Sequence, residues 1–332
     1  QLRKDWEERK AKYFSGDLLS KVTATDFLTA LTLLSSFKAE RTVSCKKKDV
    51  LALPLNEYKK YADSLCNGFL LAEKLLKEER IFSSYDLPYS TQLVPLSAVC
   101  TVLMDGNRIH TTSVKKMVKQ WYWCGVFGEL YGSANETRYA NDIVQVVKWI
   151  NNGGNLPKTV TDFYFNPMRL LGLQSRQSAA YKGMMALILK NHARDFISGA
   201  EMDFSTFSNE RIDSHHIFPK NYCIKEGYDK RKWNSIVNKT PISARSNREI
   251  GGNAPSVYLE RLEKRGSVSS LELDGYVESH WIDYNLLRAD DFQNFIIDRA
   301  KKLLTVIEKA TGRTISGKDS DEVKQNFGAA LN

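Results

Sequence analysis

The sequence predicts an α+β protein that is mostly α: a helical N-terminal domain, then a second domain built around one small strand–loop–strand–helix unit with flanking helices. Three observations predict this. Apolar residues recur at helical spacing through most of the chain, and only the stretch 211–250 carries short β-leaning pieces. The length, 332 residues, suggests about two domains. The boundary is expected near 165–175, giving 1–170 as the helical domain and 171–332 as the second, with a ββα core at about 211–252.

The elements follow in order. Residues 17–36 carry Leu18, Leu19, Val22, Phe27, Leu28, Leu31 and Leu34 at helical spacing. A second helix spans 56–80, interrupted only by Gly68 and stopping before the turn-like Ser83-Ser84-Tyr85-Asp86. An apolar stretch follows over 93–104, and further helices are expected over 110–131 and 137–150, after which Asn151-Asn152-Gly153-Gly154-Asn155 and Pro157 mark a loop. Residues 176–192 form a compact apolar helix. Strands are expected over 212–218 and 236–242, on either side of a polar loop rich in Lys, Tyr and Gly. A short helix over 243–250 closes on Gly251-Gly252, and Pro255 suits the first turn of a helix over 255–264.

Composition narrows the class. With 42% hydrophobic and 26% charged residues the chain reads as an ordinary globular protein. Its net charge of +9 is compatible with a polyanionic partner, because lysines and arginines that neutralise phosphates release condensed counterions. Cys45, Cys66, Cys100, Cys124 and Cys223 are scattered, with no Cys-x-x-Cys pair. That argues against a zinc ribbon or a disulfide framework and fits a reducing cytosol, so a cytoplasmic location is expected. No apolar run approaches the roughly 18 residues of a membrane helix. The opening residues are mostly charged, unlike a signal peptide. The chain opens without Met in what reads as mid-helix, so an upstream part of a longer protein is expected.

The chemistry concentrates at Asp213-Ser214-His215-His216-Ile217-Phe218-Pro219, followed by Asn238 and Asn247. Only five histidines occur in the chain, and two stand side by side here. Hydrolysing a phosphodiester needs a base for water, a cation for the charge on phosphorane and leaving oxygen, and a scaffold that aligns them. Adjacent His215 and His216 can supply one metal ligand and one base. Asn247 can bring a second ligand from a separate segment, and Asn238, whose amide donates and accepts at once, can tie the loop to the first strand. Strand geometry adds a condition. Neighbouring side chains point to opposite faces, so both histidines serve one phosphate only where the strand ends or bends, as Pro219 suggests.

These residues resemble the HNH, or His-Me finger, endonuclease motif. His215-His216-x-x-Pro219, the nine-residue step from Asn238 to Asn247, and the pair Asn247-Arg248 are similar to the form found in RNA-guided nucleases. The resemblance implies a ββα-metal nuclease domain in which His216 is the general base and Asn238, counted with it in the catalytic set, fixes the loop. It makes His215 and Asn247 the metal ligands. The implied cofactor is a divalent cation, Mg²⁺ first. His replaces the Asp of many relatives at position 215, a softer ligand that widens tolerance toward Mn²⁺, Ni²⁺ or Zn²⁺. Asp213 is read as a partner that hydrogen-bonds His215, with direct ligation as the alternative.

A broader resemblance takes in most of the chain. Leu87-Pro88-Tyr89-Ser90-Thr91-Gln92-Leu93, Ser178-Ala179-Ala180-Tyr181-Lys182-Gly183, Asn238-Lys239-Thr240-Pro241 and Ala254-Pro255-Ser256-x-Tyr258-Leu259 are similar to the nuclease half of GmrSD-type, modification-dependent restriction proteins. That family implies DNA as partner, modified phage DNA as target, and an N-terminal ParB-like nucleotide-hydrolysing domain, whose Asp-Gly-Gln-Gln-Arg-type motif is absent from this sequence.

Phosphate contacts are expected from Lys225, Lys230, Arg231 and Lys232 in the inter-strand loop, from Arg248, and from Arg176 and Lys182 at the start of the 176–192 helix. Lys46-Lys47-Lys48 read as a solvated face. Trp121, Tyr122 and Trp123 read as core, with a base-stacking surface as the alternative. One ββα unit offers one active site, so a monomer is expected to nick, and a double-strand break to need a homodimer or two events. The competing readings are a structure- or RNA-directed nuclease, and a DNA-binding sensor or regulatory module with a weak or gated HNH unit.

Overall fold

The computed structural model describes residues 2–133, 135–203, 212–266 and 268–332. They form two compact units, Gln1–Tyr164 with Ala310–Gly312, and Phe165–Lys309 with Arg313–Asn332. The described residues are mostly helical, with one two-stranded sheet, an α+β protein that is mostly α. No helix among them is long and apolar enough to cross a membrane.

The first unit is all helix: α1 (Leu2–Tyr13), α2 (Ala24–Lys38), α3 (Lys47–Leu51), α4 (Leu55–Glu78), α5 (Leu93–Asp105), α6 (Thr112–Phe127), α7 (Glu136–Asn152) and α8 (Lys158–Thr161). Helix α2 starts later than its apolar spacing predicts. Thr23 and Asp26 form a reciprocal capping box there, and a cap residue cannot itself be helical. Leu18, Leu19 and Val22 still face the core from the preceding turns. The core centres on α5, whose residues from Leu93 to Thr101 are all buried, packed against α2, α4 and α7. Gly68 does not interrupt α4, which runs through it unbroken. It marks where α5 comes close: a Cβ there would collide with Thr101 Oγ1 and the Ser97 carbonyl.

Trp121, Tyr122 and Trp123 are all buried. Trp121 donates to Asp142 at 3.0 Å and Trp123 to Glu79 at 2.9 Å, so these rings are core and leave no stacking surface.

In the second unit α9 (Arg169–Gly172) and α10 (Ala179–Lys190) precede β1 (Ile212–His216). Then follow α11 (Lys220–Lys225), α12 (Lys230–Trp233), β2 (Lys239–Ser243) and α13 (Ala244–Ile250). Five more helices close the unit: α14 (Pro255–Gly266), α15 (Ser270–Glu278), α16 (Tyr284–Arg288), α17 (Phe292–Thr311) and α18 (Asp321–Phe327). The strands pair antiparallel, from Ile212 opposite Ser243 to His216 opposite Lys239.

Two local expectations are corrected. The segment between the strands is not a plain loop but two short helices. Pro219 opens α11, Gly227 turns the chain at φ +70°, and the Asp229 carboxylate caps α12 by accepting from Arg231 N. The second strand starts at Lys239 rather than 236, because residues Ile236–Asn238 coil into a 3-10 turn that aims Asn238 inward.

Beneath the sheet, Phe218 packs against Phe292 and Phe295 with ring centroids 5.2 and 4.9 Å away. Arg299, fully buried, donates to the carbonyls of Val237 and His280 and so pins the entry to β2.

Candidate functional site

The sheet register sets the geometry. Directly opposed residues share a face, so His215 shares one with Thr240, while His216 shares the other with Lys239. β1 ends at His216, and just beyond it Ile217 N donates to Asn238 O at 2.9 Å.

His215 is 4% exposed, and its Nδ1 lies 2.9 Å from Asn247 Oδ1. With the amide oxygen accepting, the proton sits on Nδ1, and Nε2 is buried with no hydrogen-bond partner among the described residues. Burial pushes the imidazole down to about 3, and a positive charge on His216 or His280 would lower it further. The ring is therefore neutral at physiological pH. Asn247 is held in place by the start of α13, where Ser243 caps the helix by accepting from Ser246 N. Asp195 anchors that cap, accepting from Ser243 N at 3.0 Å and Ser246 Oγ at 2.7 Å. Burial alone would raise the Asp195 carboxyl, but the bonds from Ser246, Ser198 and Ser243 hold it below its ordinary value.

His216 is half-buried, with Nε2 3.2 Å from Asn234 Oδ1 and its ring 5.8 Å from Trp233. If Asn234 accepts from Nε2, the lone pair sits on Nδ1. Burial lowers its pKa, the Asn234 bond opposes this, and Lys239 and Lys220 push it further down.

Asn238 is fully buried. Its oxygen accepts from Phe218 N at 2.8 Å, and its amide donates to the Phe218 and Trp233 carbonyls, each at 2.9 Å. One side chain thereby joins the end of β1 to the segment carrying Trp233 and Asn234, the residues that flank His216.

Lys239 is 6% exposed and donates to the Gln174 carbonyl at 2.7 Å. Burial pushes its ammonium down to about 8, still cationic at neutral pH. On the same face Tyr181 and Ser214 share a 2.6 Å hydrogen bond. On the other face Thr240 pairs with His280 Nδ1 at 2.7 Å, while His280 Nε2 donates to the Arg194 carbonyl at 2.8 Å.

The structure thus brings His215 to Asn247, and Asn238 to the segment behind His216. It does not place His215 and His216 on a shared partner. Asp213 lies in β1 opposite Ile242, but its side chain falls outside the described residues. Lys225, Lys230 and Arg248 are exposed. Arg231 reaches Asn326 at 3.2 Å, Lys232 reaches Gln293 at 3.1 Å, and Arg176 donates to the Ile212 carbonyl at 3.3 Å. Lys182 is half-buried on α10. Sequence reasoning missed Asn234, Lys239, Asp195 and His280. Lys239 alone left a trace, since it follows Asn238 directly and strand pairing could have set it opposite His216.

Among the described residues no group of three or more His, Cys, Asp or Glu side chains gathers at metal-binding range. The His215/Asn247 pair still fits a loosely held divalent ion. Its two neutral ligand atoms lie 2.9 Å apart on separate segments, and they suit an ion in the His215 tautomer that carries its proton on Nε2 and leaves the Nδ1 lone pair free. The separation matches the ~3 Å between neighbouring ligands on an ion bound at about 2.1 Å. A cation of this kind draws its remaining ligands from water and phosphate.

No family model matches the chain. The chain is similar to an uncharacterized protein of Methanocaldococcus jannaschii, 27% identical over 276 residues, or 79% of this chain and 45% of the relative. The chain therefore spans less than half the length of that relative, whose name carries no activity.

Proposed function

We propose that this chain is a metal-dependent HNH endonuclease that hydrolyses phosphodiester bonds in DNA. The observation that carries the reading is the 2.9 Å approach of His215 Nδ1 to Asn247 Oδ1 across 32 residues, beside a half-buried His216. His216 is held below its ordinary pKa, so it is neutral at pH 7 and ready to accept a proton. It takes that proton from the attacking water as the new P–O bond forms. The 3′ oxygen leaves, and the cut end keeps a 5′-phosphate. His215 and Asn247 would hold a divalent cation, Mg²⁺ by preference and Mn²⁺, Ni²⁺ or Zn²⁺ as substitutes, which would supply neutralisation of the negative charge that develops in the reaction. Asn238 keeps the β1 end and the Asn234 segment in register, so that His216 stays aimed.

The sequence resemblance to GmrSD-type proteins supports a role in restricting modified phage DNA in the cytoplasm, alongside a ParB-like NTPase domain. Exposed Lys225, Lys230 and Arg248 are suited to backbone contacts that position DNA without reading bases. The five cysteines, all buried and none in a disulfide among the described residues, suit a reducing compartment.

Supercoiled plasmid incubated with Mg²⁺, Mn²⁺ or EDTA tests this, using unmodified and phage-modified DNA. Nicking that needs the metal supports the reading, and a preference for modified DNA supports the defence role. DNA bound but left intact under every metal would contradict it and favour a DNA-binding sensor.

A further inference from the structure

Lys239 stands opposite His216 at the end of the two-stranded sheet and shares its face. Its side chain is almost wholly buried, yet no carboxylate among the described residues faces it. The ammonium carries three donors. Among the described residues one is met, by the Gln174 carbonyl at 2.7 Å, and the Tyr181 ring lies 5.8 Å away. Burying a cation without an anion is costly, and a neutral donor would serve that carbonyl at lower cost. The residues around it, Gln174, Ser214, His216 and Asn234, are only half-buried, so this face opens to solvent at its rim. The pair proposed to hold the metal belongs to the other strand face, with Thr240. The side of the sheet that presents His216 has Lys239 as its buried positive charge.

We propose that Lys239 is a further catalytic residue, whose ammonium binds a non-bridging oxygen of the scissile phosphate while His216 accepts the proton of the attacking water. This rests on the phosphodiesterase reading above. No bond to Lys239 forms or breaks and no proton leaves it. It contributes fixed positive charge where negative charge develops, in a site from which water is largely excluded. The missing anion of the free protein is then the substrate itself.

Lys239→Gln and Lys239→Met separate this from a structural role. Gln keeps a donor for the Gln174 carbonyl without the charge, and Met keeps the length and apolar bulk. Wild type, both variants and a His216→Ala control are compared for kcat at saturating DNA with Mg²⁺, for DNA affinity and for melting temperature. The expected result is a loss on the order of 100-fold in kcat for both. DNA affinity should change little, and the melting temperature should stay equal or rise, since an unpaired buried charge has gone. Full cleavage by Lys239→Gln would overturn the proposal, as would kcat losses that follow lowered melting temperatures. If wild type matches His216→Ala in leaving DNA uncut, the underlying nuclease reading fails, and the inference falls with it.

Discussion

His215 Nδ1 and Asn247 Oδ1 meet at 2.9 Å although 32 residues separate them, one at the end of β1 and the other on α13. Two neutral donors on separate segments hold a cation only while the strand and the helix keep their spacing. His215→Ala or Asn247→Ala should therefore weaken Mn²⁺ binding by more than about 100-fold, beyond the roughly 10–100-fold that loss of a supporting contact costs. Titration followed by electron paramagnetic resonance reads this directly. Mn²⁺ affinity unchanged in both variants would remove these residues from the metal site.

The rate of cleavage should depend on pH through His216. Burial, aided by Lys239 and Lys220, holds its pKa below the ordinary 6.5. A protonated imidazole cannot act as base, so kcat/KM should fall as pH drops through a value below 6.5, and should fall again on the alkaline side as Lys239, pushed down to about 8, loses its charge. A profile whose acid limb has its midpoint above pH 7 would mean that another group is the base.

Asn238 is expected to matter through structure. Asn238→Ala removes three buried backbone bonds and strands the partners at Phe218 and Trp233. It should lower stability by about 3 kcal/mol in urea unfolding. Asn238→Asp keeps the acceptor for Phe218 N but turns a carboxylate oxygen toward the two carbonyls in a fully buried site, and should cost at least as much as Asn238→Ala.

How much of this was legible in the sequence differs by element. Helix α4 and the sheet's approximate place follow from apolar spacing and turn residues, because periodicity is local information. Gly68 looked like an interruption, since the close approach of α5 is a tertiary fact that no local pattern records. The four residues His215, His216, Asn238 and Asn247 stand out through residue type and spacing. Their neighbours Asn234, Lys239 and Asp195 do not. Lys239 acquires meaning only when the register sets it opposite His216, and Asp195 only when its loop folds under Ser243 and Ser246. The segment between the strands was read from polarity as a loop, whereas Pro219, Gly227 and Asp229 give it two helices. The aromatic run at 121–123 gave no hint of which rings Asp142 and Glu79 would take inward.

Acid should loosen the second unit through His280. Its pKa is about 4 in the fold against an ordinary 6.5, pushed down by burial, while its Nδ1 is engaged by Thr240. A lowered value means that the unfolded chain binds more protons. The contribution is complete above about pH 6.5 and is lost progressively as pH falls toward 4. Between pH 7 and pH 5 this amounts to about 2 kcal/mol. His280→Gln should lessen the slope of that part of the stability curve, the remainder coming from buried His215, as measured by urea midpoints at each pH. A slope unchanged by the substitution would assign the acid sensitivity elsewhere.

The central claim is that His216 accepts the proton of the attacking water. Its most direct test is a labelled DNA duplex incubated with Mg²⁺ and either wild type or His216→Ala, with DNA affinity measured alongside. The expected result is wild-type cuts that leave 5′-phosphates and vanish with EDTA, and a variant that binds DNA equally but cuts it at least about 100-fold more slowly. Cleavage by His216→Ala at the wild-type rate, or wild-type cuts indifferent to EDTA, would contradict it.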